Sequence, residues 1–271
     1  MNIFYKYKQF FKTYGLKETL IRIISKPLRL INKKKAYINF INSKKKIFHY
    51  NSLKDRFSYI YSSNFWPSKE SVSGPGSELE NTSNIRKEIV NLIKEYKFKK
   101  ILDAPCGDFN WIKHIVNKDI DYIGGDIVPN LIRENTQKYT TSNIKFIELD
   151  IINNKLPDAD LLICRDCLIH LSYKNIESFF NNVKKSNLNY FLVTSYEYKN
   201  QIIPNIDIHD GDFRPTFLTK SPFNLPPPIV KFLDKDLEHQ KNQNLSCYLY
   251  LYSRKQLKLL NKNQNYYKSN Y

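Results

Sequence analysis

At 271 residues, with 41% apolar and 14% aromatic side chains, the chain has material for one large core or two small ones. No apolar run approaches the roughly 20 residues that cross a bilayer, and MNIFYKYKQFFKTYG breaks every apolar run with charge and lacks a signal-peptide layout, so a cytoplasmic protein is expected. The net charge of +17 is concentrated: residues 1–60 hold 15 Lys or Arg against two acids, a balance of +13, and the remainder holds +4.

Residues 1–66 read as a basic helical extension. Phe10, Tyr14, Leu20, Ile24 and Leu28 recur at near-helical spacing among lysines, with breaks at Gly15 and Pro27. SVSGPGSELENT, residues 71–82, is a linker or binding loop. It leads into an amphipathic helix, NTSNIRKEIVNLIKEY, which Asn81, Thr82 or Ser83 is placed to cap. From residue 98 strand and helix signals alternate: KKILDA, helix FNWIKHIV, DYIGGD, helix PNLIRENTQKY, IKFIELD, ADLLICRD, helix YKNIESFFNNVKKS, NYFLVTSY. That order predicts parallel βαβ units in an open α/β sheet covered on both faces. A long loop then precedes IVKFLDKD and SCYLYLYSRK, an expected antiparallel pair at the edge. The domain expected from this pattern runs over 67–260, with a polar tail at 261–271. Four cysteines make no disulfide framework, and Cys164-x-x-Cys167 lacks a second ligand pair for zinc, so these read as reduced thiols.

In such a sheet ligands bind beyond the carboxyl ends of the strands. Acids recur there: Asp103 and Asp108 around the first turn, then Asp126, Asp150 and Asp166. A single one is ordinary turn chemistry. Several along successive strands suit a ligand with amine and hydroxyl groups rather than phosphates.

ILDAPCGDFNW, YIGGDIVPNLI, FIELDI and DLLICRDCLIHLS together resemble the motifs of a class I S-adenosylmethionine-dependent methyltransferase, with a Rossmann-like fold. SGPGSELENTSNIRKEI and DGDFRPTFLTKSPFNLPPP are similar to segments of a bacterial and viral subgroup, which extends the resemblance over about 66–255. The first motif departs from the common three-glycine pattern, with Pro105, Gly107 and Phe109 at the glycine positions. A ligand without phosphates needs no full cradle of backbone amides, whereas an NAD site would call for three glycines. The resemblance implies S-adenosylmethionine as cofactor. It sets Asp103, Pro105, Cys106, Gly107, Asp108 and Phe109 beside it at the first turn. Asp126 and Ile127 fall at the ribose, Asp150 and Ile151 at the adenine, and Arg165 and Asp166 at the fourth strand. Trp111 reads as core.

Catalytic candidates are few. His170 is the best placed as a base; Asp166, four residues earlier, is a second candidate that shares its face if a helical turn forms, and His209 in DIHDGDFRP is a third. His209, Asp210 and Asp212 are metal-capable residues, but a polar lid loop is the expectation and no metal is. The leading function is methylation of a sugar, glycan or other small-molecule hydroxyl, with polysaccharide modification as the subgroup's leaning. An RNA methyltransferase using the basic, aromatic N-terminus is one alternative. A non-catalytic cofactor-binding module docked on an anionic membrane through residues 1–50 is another. A peripheral position at the inner membrane face does not exclude catalysis, since a glycan on a lipid carrier would be met there.

Overall fold

In this computed structural model the described residues are 42, 44–198, 203–236 and 245–259. Strand β1 covers Lys100–Asp103, β2 Asp121–Asp126, β3 Ile144–Glu148, β4 Leu161–Cys164, β5 Tyr190–Tyr198, β6 Val230–Asp236 and β7 Leu245–Ser253. Helix α1 covers Leu53–Ser62, α2 Ser83–Tyr96, α3 Pro129–Tyr139, α4 Tyr173–Lys185 and α5 Arg254–Leu259. The strands form one seven-stranded sheet in the order β3-β2-β1-β4-β5-β7-β6. The first five pair in parallel, and β7 runs antiparallel to both β5 and β6. The antiparallel pair is therefore present, with β7 inserted between β5 and the edge strand β6.

Alternation along the strands sorts two cores. Leu102, Leu162 and Phe191 face one side with Phe179, Phe180 and Val183 of α4. Ile101, Leu161, Ile163 and Leu192 face the other with Ile85, Ile89 and Leu92 of α2. In α2 those residues fall at helical spacing and make one buried stripe. Thr82 occupies its N-cap position, but the hydroxyl donates to the Glu78 carbonyl at 2.9 Å instead of capping the helix. Pro129 opens α3 at its first turn, where the missing amide costs nothing.

Two expectations change. FNWIKHIV forms only a 3-10 turn at Ile112–His114. Phe109 sits at φ +60, which interrupts a helical path, and Phe109, Trp111, Ile112 and Ile115 all turn into the core. The chain also divides into compact units at 1–49 and 50–271, so α1 belongs with the sheet although it precedes residue 66. The expected helices over residues 10–28 and the tail at 261–271 lie outside the described residues. No helix among the described residues is long and apolar enough to cross a membrane.

Phe179 is fully buried between α4 and the sheet. Phe179→Ala is expected to lower unfolding stability by about 3–5 kcal/mol, read from the shift of the urea midpoint.

Candidate functional site

Parallel strands leave all their carboxyl ends on one edge, and the loops there enclose a cavity with about 1090 Å³ of empty space, mouth included. Asp103 ends β1, almost fully buried, and accepts a hydrogen bond from the Tyr122 hydroxyl at 2.7 Å. The chain turns through Pro105 and Cys106 to Gly107. Gly107 has φ +54, and a Cβ there would lie 2.3 Å from the Ser73 hydroxyl, so any other residue would be strained and would have to displace the Ser73 side chain. The Gly107 amide donates to Asp126 at the end of β2 at 3.2 Å, and the Val128 amide donates to the same carboxylate at 3.0 Å.

Burial pushes Asp103 up to about 7 against the pull of the Tyr122 hydrogen bond, and the nearby Asp126 adds to the rise. Burial likewise pushes Asp126 up to about 6, opposed by the Val128 and Gly107 amides. These carboxyls face the cavity, and among the described residues no cation is in direct contact with either, although the charge of nearby Arg165 offsets part of the rise at Asp103; a positively charged or hydroxyl-rich ligand would stabilise their ionised forms.

Asp150 lies two residues beyond β3 and lines the cavity with Ile151. Its carboxylate also closes a turn, accepting from the Ile152 amide at 2.9 Å and the Asn153 side chain at 2.8 Å. Pro105, Cys106, Ile127, Arg165, Asp166 and His170 line the same space. Two expected contacts do not. Asp108 is turned outward as a clasp, bonding the Ser71 hydroxyl and the Val72 amide at 3.0 Å each. Phe109 packs among Tyr122, Tyr139 and Phe146 with ring centroids 4.9–5.3 Å apart, because its left-handed backbone directs the ring into the core. Trp111 is both buried and a cavity wall.

Arg165 is buried and holds Asp234 of β6 through two bonds of 2.8 and 2.9 Å. It also donates to the Gly76 carbonyl at 2.9 Å and stands 5.5 Å from the Trp111 ring. Asp166, Asp234 and Cys247 bring ligand-type atoms within 4.8 Å of one another, the group of this kind found among the described residues. Arg165 already supplies the positive charge those carboxylates require. All four cysteines are buried, and burial pushes the Cys164 thiol far up.

His170 ends a 3-10 turn at Leu168–His170, so the expected helical turn after Asp166 forms in tightened guise. Its Nδ1 lies 2.7 Å from the Asp212 carbonyl oxygen. A carbonyl only accepts, which puts the proton of the neutral ring on Nδ1 and the lone pair on Nε2. The 209–214 loop is laced to this turn by the Gly211 amide on the His170 carbonyl (2.8 Å) and the Arg214 amide on the Ile169 carbonyl (3.0 Å). Asp210 is spent on the start of α4, accepting from the Ser172 amide at 2.6 Å and Asn175 at 2.9 Å. His209 is exposed and stands outside the cavity wall, so the loop reaches the site through its backbone and not through that imidazole.

Helix α1 roofs the cavity, a role the sequence reading missed. Leu53, Phe57 and Ile60 recur at i, i+4 and i+7 and line it. Lys54 binds Glu148 at 3.0 Å, Arg56 donates to the Asp210 carbonyl at 3.0 Å, and Tyr61 donates to Glu134 at 2.6 Å, tying the helix to three other segments. The signal was legible in SLKD: Ser52 Oγ accepts from the Asp55 amide at 3.0 Å and donates to its carboxylate at 2.6 Å, a reciprocal cap. Trp66, Val72 and Ser73 complete the wall.

A carboxyl held at about 7 when folded, against an ordinary 3.8, favours the folded state below pH 4 and loses that contribution as pH rises toward 7. Asp103→Asn is therefore expected to raise the melting temperature of the ligand-free protein at pH 8 and to change it little at pH 4. Thermal unfolding at the two pH values checks this.

No protein-family model and no curated protein matches the sequence. Solved structures do. A Burkholderia thailandensis 1,6-didemethyltoxoflavin-N1-methyltransferase, solved with 1,6-didemethyltoxoflavin and S-adenosylhomocysteine, is 11% identical with a TM-score of 0.50, over 74% of this chain and 86% of that one. Human N-acetylserotonin methyltransferase in complex with SAM is 13% identical with a TM-score of 0.47, over 79% and 65%. The O-methyltransferase of a Brevibacillus brevis trans-AT PKS multienzyme, with S-adenosyl-L-homocysteine, is 18% identical with a TM-score of 0.46, over 64% and 75%. The chain has a Rossmann-like methyltransferase fold: a mostly parallel seven-stranded sheet with an antiparallel edge, flanked by helices.

Proposed function

We propose that this protein is an S-adenosylmethionine-dependent methyltransferase that methylates a hydroxyl of a small molecule, a sugar or glycan above all. The carrying observation is the pair of buried, cavity-facing acids, Asp103 and Asp126, on either side of the Gly107 turn. The amides of Cys106, Gly107 and Asp108 are bonded to the Gly125 carbonyl, the Asp126 carboxylate and the Ser73 hydroxyl, so the turn does not offer the run of amides that phosphates need. Both acids keep acceptor capacity after their hydrogen bonds to Tyr122, Gly107 and Val128. An ammonium group and a ribose diol fit such acceptors, and the apolar walls at Ile127, Leu149 and Ile151 fit a flat base beside Asp150. When bound, the cofactor supplies a methyl group activated by its sulfonium.

The chain's own residues supply the rest. Asp103 and Asp126 hold the cofactor and set its direction. Gly107 lets the backbone approach it closely. Leu53, Phe57 and Ile60 exclude water from above, and holding the reacting groups in line is worth up to roughly 7–11 kcal/mol. His170 Nε2 takes the proton of the acceptor hydroxyl as the new bond forms, a contribution on the order of 10²–10⁴-fold.

Incubating the protein with methyl-labelled S-adenosylmethionine and fractionated cell extract tests the reading. Label is expected in the small-molecule or glycan fraction. His170→Ala is expected to lower the rate about 10²–10⁴-fold with S-adenosylhomocysteine binding retained. Label confined to RNA would move the acceptor to the alternative class, and undiminished transfer by His170→Ala would remove the base.

A further inference from the structure

We infer that Trp66 is the positioning residue for His170, holding the imidazole so that Nδ1 stays on the Asp212 carbonyl and Nε2 is the nitrogen that takes the proton. The inference rests on the proposed role of His170 as base. The Trp66 and His170 ring centroids lie 4.7 Å apart at 30°, and both rings line the cavity. Phe213 touches the imidazole more distantly, at 5.9 Å and 53°, and is itself more than half exposed. The hydrogen bond at Nδ1 fixes one edge of the ring, and the indole packed at a tilt against its face limits how far the ring can turn.

Trp66 is in turn seated by the loop over the cofactor turn. Gly74 has φ +94, and a Cβ there would lie 2.9 Å from the Trp66 Cβ, so the glycine exists where the tryptophan needs room. The same loop is anchored on both sides: the Asp108 amide donates to the Ser73 hydroxyl at 3.1 Å, and Arg165 donates to the Gly76 carbonyl at 2.9 Å. One loop thus closes on Gly107 and presents the indole to His170. An indole face also favours the cationic ring formed on proton uptake, which suits a base that must hold its proton until release.

The test is the tautomer of His170 in the full chain with ¹⁵N-labelled histidine, its signals assigned by their loss in His170→Asn. At pH 8 the wild-type ring is expected as the Nδ1–H form. Trp66→Leu is expected to shift it toward the Nε2–H form that an unconstrained histidine prefers, and Trp66→Phe, which keeps a ring, is expected to restore Nδ1–H. Methyl incorporation should fall at least about tenfold in Trp66→Leu and recover in part in Trp66→Phe. An unchanged Nδ1–H signal in Trp66→Leu, or an Nε2–H signal in the wild type, overturns the inference. Unchanged tautomers with His170-dependent transfer would sink this inference alone, whereas a wild type without methyl transfer would sink the function and leave the tautomer result readable.

Discussion

A buried guanidinium must find all its partners within the fold, and Arg165 finds them in three places at once. Its Nε and Nη2 take the two carboxylate oxygens of Asp234 on β6, Nη2 also donates to the Gly76 carbonyl, and its face lies over Trp111. Removing one partner of such a pair leaves an uncompensated charge at a cost of about 3–5 kcal/mol. The end of β4, the late edge of the sheet and the 71–77 loop are therefore fixed to one another. Everything at the cavity depends on that. The loop can close on Gly107 and seat Trp66 because its far end is held at Gly76.

The second constraint is electrostatic. Two carboxyls with raised proton affinity are held across one glycine turn, and burial is the largest cause for each. A fold that only needed stability would place uncharged residues there. In the proposed function this arrangement trades stability of the empty protein for complementarity to a cationic ligand, and the same cavity continues past Asp166 to His170 and its aromatic neighbour. The proposed binding end and reacting end thus share one space under α1.

The strands were legible because parallel strands buried on both faces read as short continuous apolar runs, as in ILDA and LLIC. The acids at their ends were legible for the same reason: strand termini fix where the next residues emerge. Side-chain direction was not. Asp108 and Phe109 adjoin Gly107 in the chain, yet one turns out to clasp Ser71 and the other turns in to Tyr122, which the φ of +60 at Phe109 brings about. Nor does the chain announce that Arg165 pairs with Asp234, 69 residues on. Helix α1 was masked by the basic composition around it, although its Ser52–Asp55 cap was written in the sequence.

The central claim is that the acids around the Gly107 turn hold S-adenosylmethionine. Calorimetric titration of the wild-type chain with S-adenosylhomocysteine tests it most directly. Saturable binding of one molecule per chain, lost in Asp126→Ala with the fold intact by circular dichroism, is the predicted result. A folded wild-type protein that takes up no S-adenosylhomocysteine, or an Asp126→Ala variant that binds it as tightly as the wild type, would contradict the account.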